Sequence, residues 1–144
     1  MARTDRFRQQ HNELLGLAGE LQAHLNVTEL STDATAARKA LGSLMGKLTM
    51  HLAIEDKVMY PELIAHENRT VSDIAKRFST EMKSTAQQVV SYSNKWATPS
   101  AIKANAEEFI KETKQVIGIL ADRIKRENQE LYAAADRVEG ATFE

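Results

Sequence analysis

The sequence predicts an all-α protein, an up-down-up-down four-helix bundle, on three observations. Apolar residues recur at alternating three- and four-residue steps in four separate stretches, the spacing of one buried helix face. Only three polar breaks part those stretches, and short connections favour antiparallel neighbours. Six Gly and two Pro in 144 residues leave little material for a turn-dense β-fold.

The first stretch, 4–26, carries Phe7, Leu14, Ala18, Leu21 and Leu25 on one face. It ends in Asn26-Val-Thr-Glu-Leu-Ser-Thr-Asp33, a cap-rich loop expected to hand over to a helix near Asp33. The second stretch, 34–65, carries Leu41, Leu44, Met45, Leu48, Leu52 and Met59, and breaks at His66-Glu-Asn-Arg-Thr70. Gly16, Gly19, Gly42 and Gly46 are expected to let these two helices approach closely. Thr70 or Ser72 is the expected cap of the third stretch, 71–96, whose stripe is Val71, Ile74, Phe78, Met82, Val89, Tyr92 and Trp96. Ala97-Thr-Pro-Ser100 follows, with Thr98 an N-cap and Pro99 at the first helical position. The fourth stretch, 99–138, carries Ile102, Phe109, Val116, Ile117, Leu120, Ile124 and Leu131. Residues 1–138 are expected to form one domain and 139–144 a tail.

Composition excludes several functions. Without cysteine there is no disulfide framework, thiolate metal cluster or thiol nucleophile. Nineteen Lys and Arg against 20 Asp and Glu give no field for holding nucleic acid by phosphate neutralisation. The N-terminus lacks the apolar run of a secretory signal and no stretch is long enough to span a membrane, so a cytoplasmic protein is expected. No GxSxG nucleophile elbow is present.

The informative residues are the polar ones standing where the stripes call for Leu. His11 fills the gap between Phe7 and Leu14. His51 and Glu55 continue the series 41-44-48, and their four-residue spacing puts them on one helix face. Glu81 lies between Phe78 and Thr85, and Arg123 and Glu127 follow Leu120. Buried ionisable groups cost several kcal/mol each unless paired or bound to a metal, and bundles build metal sites from inward His and carboxylate on facing helices. Imidazole and carboxylate without thiolate suit iron, manganese or zinc, iron especially where positions stay open for a small ligand. The plainer alternative is a buried His–Glu hydrogen bond fixing helix register.

Depth along the bundle tests the grouping. At about 1.5 Å per residue, His11 lies about 22 Å from the end of its helix and His51 about 25 Å from the start of the next. Glu55 and Glu81 also match. Glu127, about 40 Å beyond Pro99, fits only if residues 99–108 form a separate turn or short helix.

Arg8-Gln-Gln-His11-Asn-Glu-Leu-Leu15, His51-Leu-Ala-Ile-Glu55-Asp-Lys-Val-Met-Tyr60-Pro61 and Arg123-Ile-Lys-Arg-Glu127-Asn-Gln-Glu-Leu-Tyr132 together resemble the hemerythrin-like (HHE cation-binding) domain over about residues 5–135. The resemblance implies a four-helix bundle holding a non-haem, usually di-iron centre that binds or senses O2, NO or peroxide. It implies terminal ligation by His11 and His51 and carboxylate bridging by Glu55 and Glu127. The family's last-helix His, four residues before its Glu, is Arg123 in this chain. Its third-helix His is missing from Thr80-Glu81-Met82-Lys83, where Glu81 is the expected replacement ligand. Arg123 stays protonated and cannot ligate; it is expected to pair with Glu81 or Glu127 beside the site, with Tyr60 also standing behind the ligands. Without metal, the same residues describe a degenerate bundle acting as an interaction or regulatory module.

Overall fold

A computed structural model describes residues 3–139, and all the regular structure among them is helical. Helix α1 spans Arg3–Gln22, and α2 is a short helix at Val27–Thr32. Helix α3 (Thr35–Ile54) runs without interruption through a π-helical turn, π1 (Glu55–Met59), into α4 (Tyr60–Ile64). Helix α5 spans Arg69–Lys95 and α6 Pro99–Ala104. Helix α7 (Ala106–Arg126) continues through a second π-turn, π2 (Glu127–Tyr132), into α8 (Ala133–Glu139). The expected tail lies, beyond Glu139, outside the described residues. Among the described residues no helix is long and apolar enough to cross a membrane.

The breaks fall where the sequence puts them, with local differences. The 26–33 loop contains α2, because the Asn26 side chain accepts a hydrogen bond from the Glu29 amide at 3.0 Å and nucleates a turn that buries Leu30. Asn68, rather than Thr70 or Ser72, caps α5 by accepting from the Val71 amide at 3.2 Å; the Ser72 hydroxyl instead donates back to the Ile64 carbonyl at 2.6 Å. Thr98 caps α6 and Pro99 opens it. Helix α6 then ends at Asn105, which is the separate short helix that the depth of Glu127 requires. The glycines do not mediate a close approach: a Cβ at Gly16, Gly19 or Gly46 would meet open space, and at Gly42 only the end of the Arg38 side chain at 3.0 Å.

Two apolar clusters form the core. The larger joins α1, α2, α3, α6 and α7 around Leu14, Leu21, Leu30, Leu41, Leu44, Phe109 and Leu120, with Val89, Tyr92 and Trp96 from the end of α5. Trp96 packs edge-on to Phe109 at 5.2 Å and donates from its indole to Glu112 at 3.1 Å, so its polar edge is satisfied at the rim. The smaller cluster gathers Phe7, Met59, Tyr60, Leu63, Val71, Phe78, Met82, Leu131 and Tyr132. Between them, along the chain, stand the buried polar residues His11, His51, Glu55, Arg123 and Glu127.

Candidate metal centre

Four of these side chains, His11 from α1, His51 from α3, Glu55 from π1 and Glu127 from π2, bring one ligand atom each within 4.8 Å of one another. All four are buried, none more than 4% exposed. His51 Nε2 faces Glu55 Oε2 at 3.2 Å. His11 Nε2 faces Glu127 Oε1 at 3.1 Å and Glu55 Oε2 at 3.7 Å. The two rings meet edge-on, 4.8 Å between centroids.

The outer nitrogens fix how the rings point. His11 Nδ1 donates to Asn128 Oδ1 at 2.9 Å and His51 Nδ1 to Gln10 Oε1 at 2.5 Å. An amide oxygen only accepts, so each Nδ1 carries a proton and each Nε2 is turned inward, the arrangement of a ligating imidazole oriented by its outer nitrogen. Tyr132 stacks on His11 at 5.5 Å and holds its plane.

The carboxylates are gripped from the far side. Arg123 Nη2 donates to Glu55 Oε1 at 2.9 Å, and its Nε lies 3.5 Å from Glu127 Oε2. The Tyr60 hydroxyl donates to Glu127 Oε2 at 2.5 Å and the Tyr132 hydroxyl to Glu55 Oε2 at 3.0 Å. Burial pushes both phenols well above their ordinary range, with the two carboxylates adding to it, so both stay proton donors. His11 Nε2, His51 Nε2 and Glu127 Oε1 nevertheless have no hydrogen-bond partner, and neither does the remaining guanidinium nitrogen, Arg123 Nη1.

Three orphaned acceptor-type atoms converging in a buried space leave a shortage of positive charge. In the metal-free protein a proton meets part of it. Burial alone would lower the His11 pKa, but the carboxylates of Glu127 and Glu55 outweigh it and raise it to about 9. The two glutamates are driven apart. Burial pushes Glu55 up, but the His11 and His51 imidazoles and the Arg123 charge hold it well below the carboxylate range. Burial raises Glu127, and the neighbouring negative charge of Glu55 raises it further. Two imidazole nitrogens and two carboxylate oxygens suit a divalent iron, manganese or zinc ion, so the residues present fit the ion that the resemblance implies.

The expectation for Glu81 is corrected. Its side chain is 40% exposed and pairs with Arg126 at 2.8 Å, because the inward position on that turn of α5 belongs to Met82, 4% exposed. Arg123 accordingly engages Glu55 and Glu127 and makes no contact with Glu81. Tyr60 reaches the centre by way of Glu127.

Three contributors escape the sequence reading. Gln10 and Asn128 are neutral amides beside stripe positions and carry no signal separating them from surface residues. Tyr132 does carry one. It follows Glu127 by five residues as Tyr60 follows Glu55, and in an α-helix residues five apart point about 140° away from each other. The wider loop of each π-turn returns Glu and Tyr to one face, a use of π-bulges common at functional sites.

A groove of about 300 Å³ between α1 and α3 leads to His51, lined also by Gln9, Gln10, Glu13, Lys47, Met50 and Ile54.

The family model described as the hemerythrin HHE cation-binding domain matches residues 2–135. Over 130 residues the chain is 26% identical to a protein named DNA nickase from Nostoc sp. (strain PCC 7120), a match covering 90% of this chain and 32% of that protein. The chain thus spans about a third of the length of that curated relative. No solved structure gives a significant match.

Proposed function

The chain belongs to the hemerythrin HHE cation-binding domain family, and from that premise we propose that it is a non-haem iron protein that binds or senses a small oxidant, O2, NO or peroxide. The observation that carries this reading is the buried cluster of His11, His51, Glu55 and Glu127 with both inward imidazole nitrogens unpartnered. On this reading residues 1–138 form one domain, an up-down-up-down bundle whose four arms are α1, α3 to α4, α5 and α7 to α8. His11, His51, Glu55 and Glu127 hold the metal, iron in preference to zinc or manganese.

Iron held there supplies a redox-active Lewis acid able to ligate the oxidant. The protein does the rest. Asn128 and Gln10 orient the imidazoles, and the apolar clusters on either side keep bulk water out. The Tyr60 and Tyr132 hydroxyls keep their protons on carboxylate oxygens, and the groove beside His51 is the way in for a small molecule. Nicking is said of the Nostoc protein and is not carried over to this chain, whose balanced charge supplies no phosphate-binding field.

Anaerobic loading with Fe(II), followed by desalting, tests the proposal. Iron retained in stoichiometric amount, lost in His51→Ala, and giving a new visible absorption on exposure to NO is the expected result. No retained iron, or full retention in His51→Ala, overturns it. One observation favours a second reading: Arg123 already neutralises both carboxylates in part. A metal-free bundle of this kind would act as an interaction or regulatory module, and iron-free protein in the same experiment would support it.

A further inference from the structure

The centre is built from two matching half-motifs. His51, Glu55 and Tyr60 on the α3–π1–α4 run correspond in spacing to Arg123, Glu127 and Tyr132 on the α7–π2–α8 run. Each run passes through a π-turn that begins at its glutamate. The two tyrosines cross over, each donating to the other run's carboxylate. The correspondence fails at one position, where the imidazole of one run is replaced by a guanidinium in the other.

The four carboxylate oxygens divide accordingly. Glu55 Oε1 accepts from Arg123, and Glu127 Oε2 accepts from Tyr60 and lies beside the Arg123 Nε. Glu55 Oε2, which also accepts from Tyr132, and Glu127 Oε1, which accepts from no donor, are the oxygens that face the imidazoles. Helix α5 adds nothing to the cluster: among the described residues it turns Met82 and Phe78 inward, while Glu81 is tied up outside by Arg126. One side of the carboxylate pair therefore has a nitrogen-and-oxygen donor set, and the other side has a permanent cation.

We propose that Arg123 takes the place of a second cation, so that this chain holds a single divalent ion between His11, His51, Glu55 and Glu127. The inference rests on the metal-binding reading above and departs from the two-ion centre that the resemblance implies. Arg123 is a positioning residue: it touches the two carboxylates, fixes which oxygen of each faces the ion and supplies the charge that a second ion would otherwise bring. A guanidinium cannot lose its proton to become a ligand, so saturating metal does not convert the site to a pair.

The test is loading of the full chain with excess Fe(II) under anaerobic conditions, desalting, and counting iron per chain, with Mn(II) loading read by electron paramagnetic resonance. One ion per chain, and the hyperfine pattern of an isolated Mn(II) at full loading, is the expected result. Two ions, or the signal of an exchange-coupled pair, overturns this inference and leaves the metal-binding reading standing. No ion overturns both. Arg123→His is expected to bind more than one ion per chain. If that variant folds, as judged by its far-ultraviolet circular dichroism, and still binds one ion with wild-type affinity, Arg123 is not what excludes the second. Should it fail to fold, the wild-type count decides alone.

Discussion

His51 is held at its outer ring nitrogen by Gln10, while its inner nitrogen faces Glu55 without a hydrogen bond, and the outer contact is the one that neither charge nor periodicity reveals. Gln10→Ala removes the acceptor that fixes the ring's orientation. It should weaken metal binding about 10- to 100-fold while leaving the helical content unchanged, which a competition titration against a chelator would show. Arg123→Ala has a different expected signature. In the metal-free protein it leaves two buried carboxylates without their cation, a loss of about 3–5 kcal/mol readable in urea unfolding; loaded metal should recover much of it. A variant equally destabilised with and without metal would show that Arg123 acts by packing alone. At this scale the sequence is legible where a polar residue interrupts a buried stripe, because burial of charge needs a reason: His11, His51, Glu55, Arg123 and Glu127 all stand out. It misleads at Glu81, where Glu and Met are adjacent on the boundary of the stripe and only the packing of Met82 decides which turns inward.

The helices themselves were readable from apolar spacing, caps and breaks; the π-turns were not, since nothing in Glu55–Met59 or Glu127–Tyr132 departs from an ordinary helical composition. Their effect is testable by deletion. Removing Lys57, which is exposed, shortens the spacing from Glu55 to the tyrosine from five residues to four, which an α-helix keeps on one face. The tyrosine then still reaches Glu127, and metal affinity should stay close to that of the wild-type chain with little loss of ellipticity; a large fall in affinity would mean that the π-turn itself, and not the shared face, positions the tyrosine. A second link between elements is the buried hydrogen bond between Tyr92 of α5 and Thr113 of α7, at 2.6 Å. Burial pushes the Tyr92 phenol up to about 12. The folded state therefore favours the neutral phenol, so stability is intact below pH 10 and is lost as pH rises from 10 towards 12, by about 1.4 kcal/mol per pH unit for this group. Tyr92→Phe should make alkaline denaturation shallower in that window.

Across the whole molecule, the apolar clusters on either side raise the cost of the buried charges, and the pairing of Arg123 and His11 with the two glutamates offsets it. A cation binding only the folded form stabilises it by mass action, about 2.7 kcal/mol at one hundred times the dissociation constant. Stripping the metal with a chelator should lower the melting temperature, and re-adding it should restore it; His51→Ala should melt at the same temperature in both conditions. Melting that ignores metal in the wild-type chain would argue for the metal-free module.

The centre also joins distant parts of the chain. His11 and its partner Asn128 are 117 positions apart in sequence, so an ion shared by His11 and Glu127 would close all of the residues between them into a loop. The entropic benefit of such a clip grows with the logarithm of the loop it closes, and here it removes extended conformations from the unfolded ensemble much as a long-range covalent staple would. A ribosome-bound chain still lacking its last helical run has His11, His51 and Glu55 but no Glu127. The complete site therefore comes into being only after Glu127 has been made, and the ion becomes the closing step of assembly.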